Sequence, residues 1–170
     1  MPIVSGLRVV RSAVHGYGVV AERRFARGEV VIRAEGFIYT EDETFDDTYA
    51  LVLPTDDLPG MPGELIFYDL VDQSRWINHS CEPNTEVESA LDPETGRPVA
   101  WWVALRDIEP GEELFYDYAF VGSVAEPCGC GAAACRGLIV DPDPAELAAV
   151  PRRLRKHLRI PIPPADERAA

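Results

Sequence analysis

The residues best suited to chemistry stand together between Arg75 and Asn84, in the sequence Arg-Trp-Ile-Asn-His-Ser-Cys-Glu-Pro-Asn. An amide, an imidazole, a hydroxyl and a thiol occupy the four consecutive positions from Asn78 to Cys81. A core strand disfavours so many polar groups, because each one that is buried needs its own partner. The stretch therefore predicts a buried or half-buried turn that binds a ligand. The alternative at this point is a satisfied core histidine beside an inert thiol.

Three further thiols, Cys128, Cys130 and Cys135, lie on a glycine-rich loop. Zinc prefers tetrahedral thiolate ligands, and a structural zinc site has four protein ligands. The chain has one more cysteine, Cys81, so its four thiols can form a single site. They could instead remain free or form disulfides. The expected intracellular location and the close spacing of three of the thiols favour a metal.

Two tyrosines, Tyr116 and Tyr118, lie two residues apart in the sequence Glu-Glu-Leu-Phe-Tyr-Asp-Tyr. Residues 113–120 predict an aromatic strand, on which both hydroxyls point to the same face. The pair either lines a pocket or packs on the core as ordinary strand aromatics. The Gly-Tyr-Gly sequence at residues 16–18 permits an unusual backbone and close approach of a ligand, although most such sequences are tight turns.

The elements that must position these groups are mainly short strands. Many short apolar runs are separated by turn residues, which predicts a mainly β fold with few helices. Strands are expected at residues 7–10, 19–21, 64–69, 85–88, 99–105 and 113–120, a hairpin turn at 92–97 and a helix at about 144–158. Residues 46–53 can form either a short helix or a strand.

One sequence pattern occurs twice, Ala-x-Arg-x-(Phe or Ile)-x-x-Gly-Glu-x-(Val or Leu), at residues 21–31 and 104–114. Each copy predicts a strand, a glycine turn and a second strand. The two copies are either similar turns with similar requirements or two β units that flank a central insertion at about residues 36–73.

The composition limits the classes of function. A chain of 170 residues with 46% hydrophobic content suits one domain, or one domain with a small appendage. No apolar run approaches the roughly 20 residues of a transmembrane helix, and the N-terminal sequence lacks a signal pattern. We therefore expect an intracellular protein without a membrane partner, cytoplasmic or, in a eukaryote, nuclear.

The charge is strongly acidic and unevenly placed. The formal net charge of −13 disfavours general nucleic-acid binding, so no direct nucleic-acid partner is expected. No basic residue lies between Arg33 and Arg75, whereas that interval holds eleven acidic residues. The interval is either a solvated face or a surface that attracts a basic protein. The tail from Arg152 to Arg159 has the opposite sign.

Together these motifs resemble SET-domain protein lysine methyltransferases with a post-SET zinc loop. The resemblance rests on residues 16–18, 75–84, 113–118 and 128–137, and it covers roughly residues 7–140 in the same order. Apart from the Gly-x-Gly, these motifs are jointly very specific. The resemblance implies small curved β-sheets with a knot-like C-terminal threading. It also implies a SET domain at residues 5–122, a post-SET zinc loop at 123–140 and a partly helical tail at 141–170.

The resemblance also implies an activity, S-adenosylmethionine-dependent methylation of a lysine on a histone-like or other basic protein. Residues implied in cofactor binding are His15, Gly16, Tyr17, Gly18, Arg75, Asn78, His79, Tyr118 and Leu138. Ligands implied for one structural zinc ion are Cys81, Cys128, Cys130 and Cys135. Tyr118 and Tyr49 would orient the amine. Tyr116, at a position where the family has Phe or Tyr, would hold a water that limits the product to monomethyl-lysine.

The chain departs from the family pattern immediately before residues 75–84, which we call the central motif. Residues 71–74, Val-Asp-Gln-Ser, precede Arg75 where Gly-Asn is common, and Trp76 stands where Phe or Tyr is commoner. These departures and the short acidic insertion affect the expected substrate recognition more than catalysis. Two alternatives are a catalytically weak SET-like module that binds cofactor or a partner, and a zinc-stabilised interaction domain without cofactor.

Overall fold

The structure is a computed structural model that describes residues 5–40, 42–53 and 66–162. The predicted beginning of one strand, at residues 64–65, and the end of the tail, at 163–170, lie outside the described residues. Within the described ranges, no helix has the length and apolarity that crossing a bilayer requires. Small sheets of two or three strands dominate, which confirms the prediction of a mainly β fold with few helices.

The described strands are short. In chain order they are β1 (Leu7–Arg11), β2 (Tyr17–Ala21), β3 (Val30–Arg33), β4 (Gly36–Thr40), β5 (Ala50–Leu53), β6 (Ile66–Leu70), β7 (Asn78–His79), β8 (Thr85–Leu91), β9 (Pro98–Ala104), β10 (Phe115–Tyr116), β11 (Glu126–Pro127) and β12 (Leu138–Ile139). The helical segments are α1 (Pro144–Ala149) and 3₁₀ turns at Asp47–Tyr49, Gln73–Trp76, Gly122–Val124 and Arg155–His157. Residues 46–53 thus form a 3₁₀ turn followed by a strand.

The chain divides into two compact units, and the first comprises residues 1–78 and 84–114. It contains the hairpin β1-β2 and two three-stranded sheets with the orders β3-β9-β8 and β4-β6-β5, all antiparallel. Its strands alternate as a half-buried strand should: Ile66, Tyr68 and Leu70 of β6 are buried and the residues between them are less so.

The two copies of the repeated pattern pair with each other within this unit. Phe25 and Ile108 exchange backbone hydrogen bonds of 2.9 Å in both directions. The turns at Gly28 and Gly111 have φ angles of 81° and 93°, a conformation that favours glycine. Strands β4, β5 and β6, which lie between the copies in sequence, form a separate sheet. This arrangement favours two β units that flank an insertion.

The second unit comprises residues 79–83 and 115–170. Strand β11 pairs with β12, and the Ser80 amide donates to the Tyr116 carbonyl of β10 at 3.1 Å. Its buried apolar cluster consists of Ala125, Leu138, Val140, Leu147 and Val150, with Leu154, Leu158 and Ile160 packed against it. The C-terminal segment is therefore part of the core of this unit.

The helix predicted at about 144–158 is wrong in its extent, because α1 ends at Ala149. Proline has no backbone N–H and disfavours helical geometry in the residue before it, so Pro151 stops the helix. Accordingly, Val150 takes an extended ψ of 126°. The Arg155 side chain then donates to the carbonyls of Val150 and Ala148, at 2.9 and 2.7 Å.

The aromatic strand predicted at residues 113–120 is also shorter than expected, because β10 ends at Tyr116. The Tyr118 amide donates to the ring nitrogen Nδ1 of His79 at 3.2 Å. Ala119 has a φ of 46°, which a regular strand does not allow. The backbone therefore leaves the sheet just before the second tyrosine.

Candidate active site and metal centre

The Gly-Tyr-Gly sequence lies at the turn that connects β1 to β2. The Ser12 amide donates to the Gly16 carbonyl at 3.1 Å, and Gly16 has a φ of 49°. Tyr17 is 44% exposed, which leaves its ring open to a ligand. At Gly18, a Cβ atom would lie 2.0 Å from the Glu113 carboxylate oxygen Oε1. Glycine at this position therefore makes room for a half-buried acid.

The Asn78 side chain holds this turn in place by hydrogen bonds to its backbone. Its side-chain nitrogen donates to the carbonyls of Tyr17 and His15, at 2.8 and 3.2 Å, and to Glu113 Oε1 at 3.1 Å. The side-chain nitrogen of the predicted cofactor residue is thus engaged with the protein itself. Sequence reasoning gave no role to Glu113. The available signal was a carboxylate at the start of a run of apolar and aromatic residues.

The buried carboxylate of Asp72 orders the backbone just before residues 75–84. Asp72 accepts from the amide and hydroxyl of Ser74, at 2.9 and 2.5 Å, and from the Glu35 amide at 2.9 Å. It caps the 3₁₀ turn Gln73–Trp76 in this way, since an aspartate before a helical turn satisfies its free N–H groups. The departure from the family pattern at this point therefore supplies the residue that positions Arg75 and Trp76.

An aromatic group surrounds this turn in the first unit. The Trp76 ring meets Tyr17 and Tyr49 edge to face, with centroids 5.4 and 5.1 Å apart. The Arg75 guanidinium lies 4.2 Å from the centroid of the Tyr49 ring. Its Nε is buried and has no hydrogen-bond acceptor among the described residues. The group thus combines aromatic faces with an unused cationic donor.

A second aromatic group lies in the second unit, where β10 ends. The rings of Tyr116 and Tyr118 have centroids 4.7 Å apart, and those of His79 and Phe120 lie 5.3 and 5.8 Å from that of Tyr118. Burial raises the pKa of the Tyr116 hydroxyl well above its usual value, and the neighbouring Tyr118 adds to the shift. The hydroxyl therefore stays protonated near neutral pH and can donate.

His79 has a fixed tautomer. Because the Tyr118 amide can only donate, Nδ1 of His79 must accept, and the proton of the neutral ring sits on Nε2. Burial lowers the pKa of His79 to about 4, although the nearby Asp117 opposes the shift. Asp117 is itself held by Arg136 at 2.6 Å. The Nε2–H group faces the Cys81 sulfur at 3.4 Å, which makes it a donor to that sulfur.

The cysteines come together in the second unit. The ligand atoms of His79, Cys81, Cys128 and Cys130 all lie within 4.8 Å of one another, and this group could hold a metal ion. Cys135, the fourth predicted ligand, is not part of this group. Three of the four predicted ligands are thus brought together with His79, which sequence reasoning did not assign to a metal.

Backbone amides surround the sulfurs. The amide of Arg136 donates to Cys81 at 3.4 Å and that of Gly137 to Cys135 at 3.4 Å. Burial opposes ionisation of the Cys130 thiol, but hydrogen bonds from the Cys81 and Ala132 amides help to lower its pKa to about 7. Such donors stabilise thiolates, the form in which cysteine binds metals.

The predicted site residues fall into two sets. The first unit holds His15, Gly16, Tyr17, Gly18, Tyr49, Arg75 and Asn78. The second holds His79, Tyr116, Tyr118, Leu138 and the four cysteines. Leu138 is fully buried in the apolar cluster of its unit. The joint contact of both sets with one cofactor stays a prediction.

The SET domain family matches residues 16–119 of this sequence. The chain belongs to the SET-domain family. SET-domain relatives include the histone-lysine N-methyltransferase ash1 of Drosophila melanogaster, 32% identical over 81% of this chain, and ASHH3 of Arabidopsis thaliana, 33% identical over 78%. The chain spans 6% and 38% of these two relatives' own length.

Solved SET-domain structures share the fold. KRYPTONITE, in complex with mCHH DNA, H3(1-15) peptide and SAH, has a TM-score of 0.63 and 26% identity, covering 78% of this chain and 29% of its own. Arabidopsis thaliana SUVH6, in complex with SAM, has a TM-score of 0.64 at 22% identity over 78% of this chain and 33% of its own. The resemblance to SET-domain proteins is thereby confirmed.

Proposed function

We propose that this SET-domain protein is an S-adenosylmethionine-dependent protein-lysine N-methyltransferase that acts on a basic protein. The observation that carries the proposal is the Tyr116 and Tyr118 pair, whose ring centroids are 4.7 Å apart beside His79. The SET-domain relatives described above are named histone-lysine N-methyltransferases, which supports the same reaction.

The residues around Arg75 fit the proposed cofactor. S-adenosylmethionine carries a carboxylate, and the buried Nε of Arg75 is a donor without an acceptor among the described residues. The exposed ring of Tyr17 offers an apolar face, and the turn at residues 16–18 is held by Asn78. When bound, S-adenosylmethionine supplies a methyl group on a positively charged sulfonium.

The tyrosines would position the substrate amine. A lysine, with a reference pKa of about 10.4, must lose its proton before it can attack, and partial desolvation favours the neutral amine. Tyr118 and Tyr49 would orient that amine through their hydroxyls, so that attack occurs in line. The protonated hydroxyl of Tyr116 would hold a water beside the amine and leave no room for a second methyl group. We therefore propose mainly monomethylation.

The metal is proposed to be zinc, held by Cys81, Cys128, Cys130 and Cys135. Four zinc–sulfur bonds of about 2.3 Å in a tetrahedron place the sulfurs about 3.8 Å apart. The sulfurs of Cys81 and Cys128 are 3.8 Å apart. His79 stays outside the ligand set, because its Nδ1 accepts from Tyr118 and its Nε2 carries the proton. Zinc would thus tie the loop after β11 to the end of the central motif.

The acidic insertion supports a basic substrate. A groove of about 410 Å³ in the first unit is lined by Thr40, Glu43, Thr44, Phe45, Asp47 and Phe67. Carboxylates beside aromatic faces attract lysine and arginine side chains. KRYPTONITE was solved with an H3 peptide, which agrees with a histone-like substrate. With such a substrate, we propose an intracellular location, nuclear in a eukaryote.

Incubation with labelled S-adenosylmethionine and a panel of basic proteins tests this function. We expect the wild type to label at least one protein and Tyr118→Phe to lose about 100- to 1000-fold in rate, the range for removing one positioned donor. Tyr68→Phe is the matched control, since its hydroxyl donates to the Ala34 carbonyl and has no part in the proposed site. Cofactor binding without any labelling would overturn the proposal in favour of a binding module. Absence of a thermal shift with S-adenosylmethionine would indicate an interaction domain.

A further inference from the structure

The negative charge of this protein belongs almost entirely to its first unit. That unit contains 21 acidic and nine basic residues, a formal charge of −12, whereas the second contains eight acidic and seven basic residues, a charge of −1. Residues 147–165 include five arginines and lysines and no acidic residue. The low net charge of the second unit thus hides a local excess of positive charge.

All five of these cations are exposed, but the Arg155 side chain donates to backbone carbonyls, which leaves four available. We call Arg152, Arg153, Lys156 and Arg159 the C-terminal basic surface. The apolar residues between them, Leu154 and Leu158, pack against the buried cluster. The backbone is fixed further by the Arg159 amide, which donates to the Arg136 carbonyl at 2.8 Å, and by the Arg155 contacts with helix α1.

Among the residues that the structure describes, no carboxylate neutralises the C-terminal basic surface. Within residues 5–40, 42–53 and 66–162, none of its four side chains forms an ion pair with a carboxylate. Four exposed arginines of the first unit do form such pairs: Arg8 with Glu22, Arg23 with Glu29, Arg24 with Asp107 and Glu109, and Arg106 with Glu112. Four others, Arg11, Arg27, Arg33 and Arg97, form none among the described residues, but they belong to the strongly acidic unit. In a chain with 29 acidic residues, four neighbouring unpaired cations are available to an external anion.

We propose that the C-terminal basic surface binds the phosphate backbone of a nucleic acid. Arginine and lysine side chains neutralise phosphates without reading sequence, and arginine matches a phosphate with two parallel hydrogen bonds. A protein interface would need a desolvated apolar centre, but the leucines of this segment point into the core. The net charge of −13 disfavours nucleic-acid binding, but almost all of that charge belongs to the first unit and not to the C-terminal basic surface. This inference concerns binding alone and does not depend on methyl transfer.

Fluorescence anisotropy with a labelled random-sequence DNA duplex of about 20 base pairs tests the proposal on the full chain. If all four cations contact phosphates, log affinity falls against log salt with a slope of about −3 to −4, or about 100-fold between 50 and 200 mM salt. The variant with Arg152, Arg153, Lys156 and Arg159 all changed to Gln should lose at least tenfold in affinity at 50 mM salt.

A matched control removes the same charge from the first unit, by changing the exposed residues Arg11, Arg27, Arg33 and Arg97, none of which forms an ion pair among the described residues, to Gln. It should bind the duplex as the wild type does, within about twofold. Equal loss in both variants, or no duplex binding at low salt, would overturn the proposal. Displacement of the duplex by polyglutamate of equal charge as effectively as by unlabelled DNA would point instead to an acidic protein. Labelling of free basic proteins should be unchanged in the four-site C-terminal variant.

Discussion

At the scale of single residues, one imidazole connects the tyrosine pair to the cysteine cluster. His79 accepts from the Tyr118 amide at 3.2 Å and places its Nε2–H group 3.4 Å from the Cys81 sulfur. A donor beside a metal-bound thiolate orients it and tunes its basicity. His79 would therefore position both Tyr118 and the proposed metal.

The ligand assignment can be tested by substitution. Cys135→Ser should abolish binding of one equivalent of zinc, because it removes a ligand. His79→Gln should keep the metal but weaken its affinity about 10- to 100-fold, the usual cost of a lost partner around the ligands. Zinc transfer to a colorimetric chelator measures both. The spectrum of the cobalt-substituted protein should indicate four sulfurs in wild type and His79→Gln alike. If His79→Gln loses the metal and Cys135→Ser keeps it, histidine is the ligand.

The proposed control of the product state by Tyr116 can be tested by substitution. Its hydroxyl stays protonated because burial raises its pKa, and it would hold a water that occupies the space of a second methyl group. Tyr116→Phe should therefore raise the ratio of di- and trimethyl to monomethyl product at least several-fold, as measured by mass spectrometry. Tyr68→Phe should leave the ratio unchanged. Mostly dimethyl product from the wild type, with no change of the ratio in Tyr116→Phe, would contradict the proposal that Tyr116 holds a blocking water.

The candidate site residues can be singled out in the sequence, whereas their hydrogen-bond partners cannot. Thiols, tyrosines and the central Asn-His-Ser-Cys are recognisable by type and spacing. Glu113 and Asp117 owe their roles to contacts with Asn78, 35 residues away, and with Arg136, 19 residues away. No local pattern specifies such a pairing. The tautomer of His79 likewise depends on an amide that lies 39 residues away.

At the scale of elements, strands were predicted well where apolar and polar residues alternate. They were predicted poorly where a backbone amide bonds to a side chain instead of to a neighbouring strand. The strand from Thr85 to Leu91 is longer than the alternation that predicted it, because all seven residues pair with β9. Strand β10 is shorter, because the Tyr118 amide bonds to a ring instead of to a strand. The helix near the C-terminus ends early, at Ala149, because Pro151 follows it. That proline was visible in the sequence.

The packing of the C-terminal segment on the cysteine loop depends on one glycine. A Cβ atom at Gly137 would lie 1.8 Å from the His157 carbonyl oxygen, and its φ is 81°. Gly131 has a similar φ of 75° but open space around it. Gly131→Ala should therefore cost about 1 kcal/mol for backbone strain alone. Gly137→Ala adds a backbone collision and should cost roughly 2–4 kcal/mol, since overpacking adds about 1–3 kcal/mol.

Urea unfolding of the zinc-loaded protein measures both changes. The difference between the two alanine variants isolates the collision from the strain that they share. Equal destabilisation would show that the segment from Arg155 to Arg159 does not pack against Gly137 in solution.

At the scale of the whole molecule, the two units differ in how they are stabilised. The first has three antiparallel sheets and large buried side chains such as Trp102 and Phe25. The second has two-residue strands and a buried cluster of five small or medium apolar residues. A small core gains much of its folding free energy from a structural metal. The second unit should therefore depend on the metal far more than the first.

Metal removal should loosen the second unit selectively. After chelation at neutral pH, amide hydrogen exchange should accelerate at least tenfold in residues 115–141, because the loop then loses the ion that holds its sulfurs together. The paired strands β8 and β9, with Trp102 fully buried between neighbours, should keep their protection. Zinc added back should restore the slow exchange, whereas magnesium should not, since it prefers oxygen ligands. Equal acceleration in both units would mean that the metal stabilises the chain as one cooperative body.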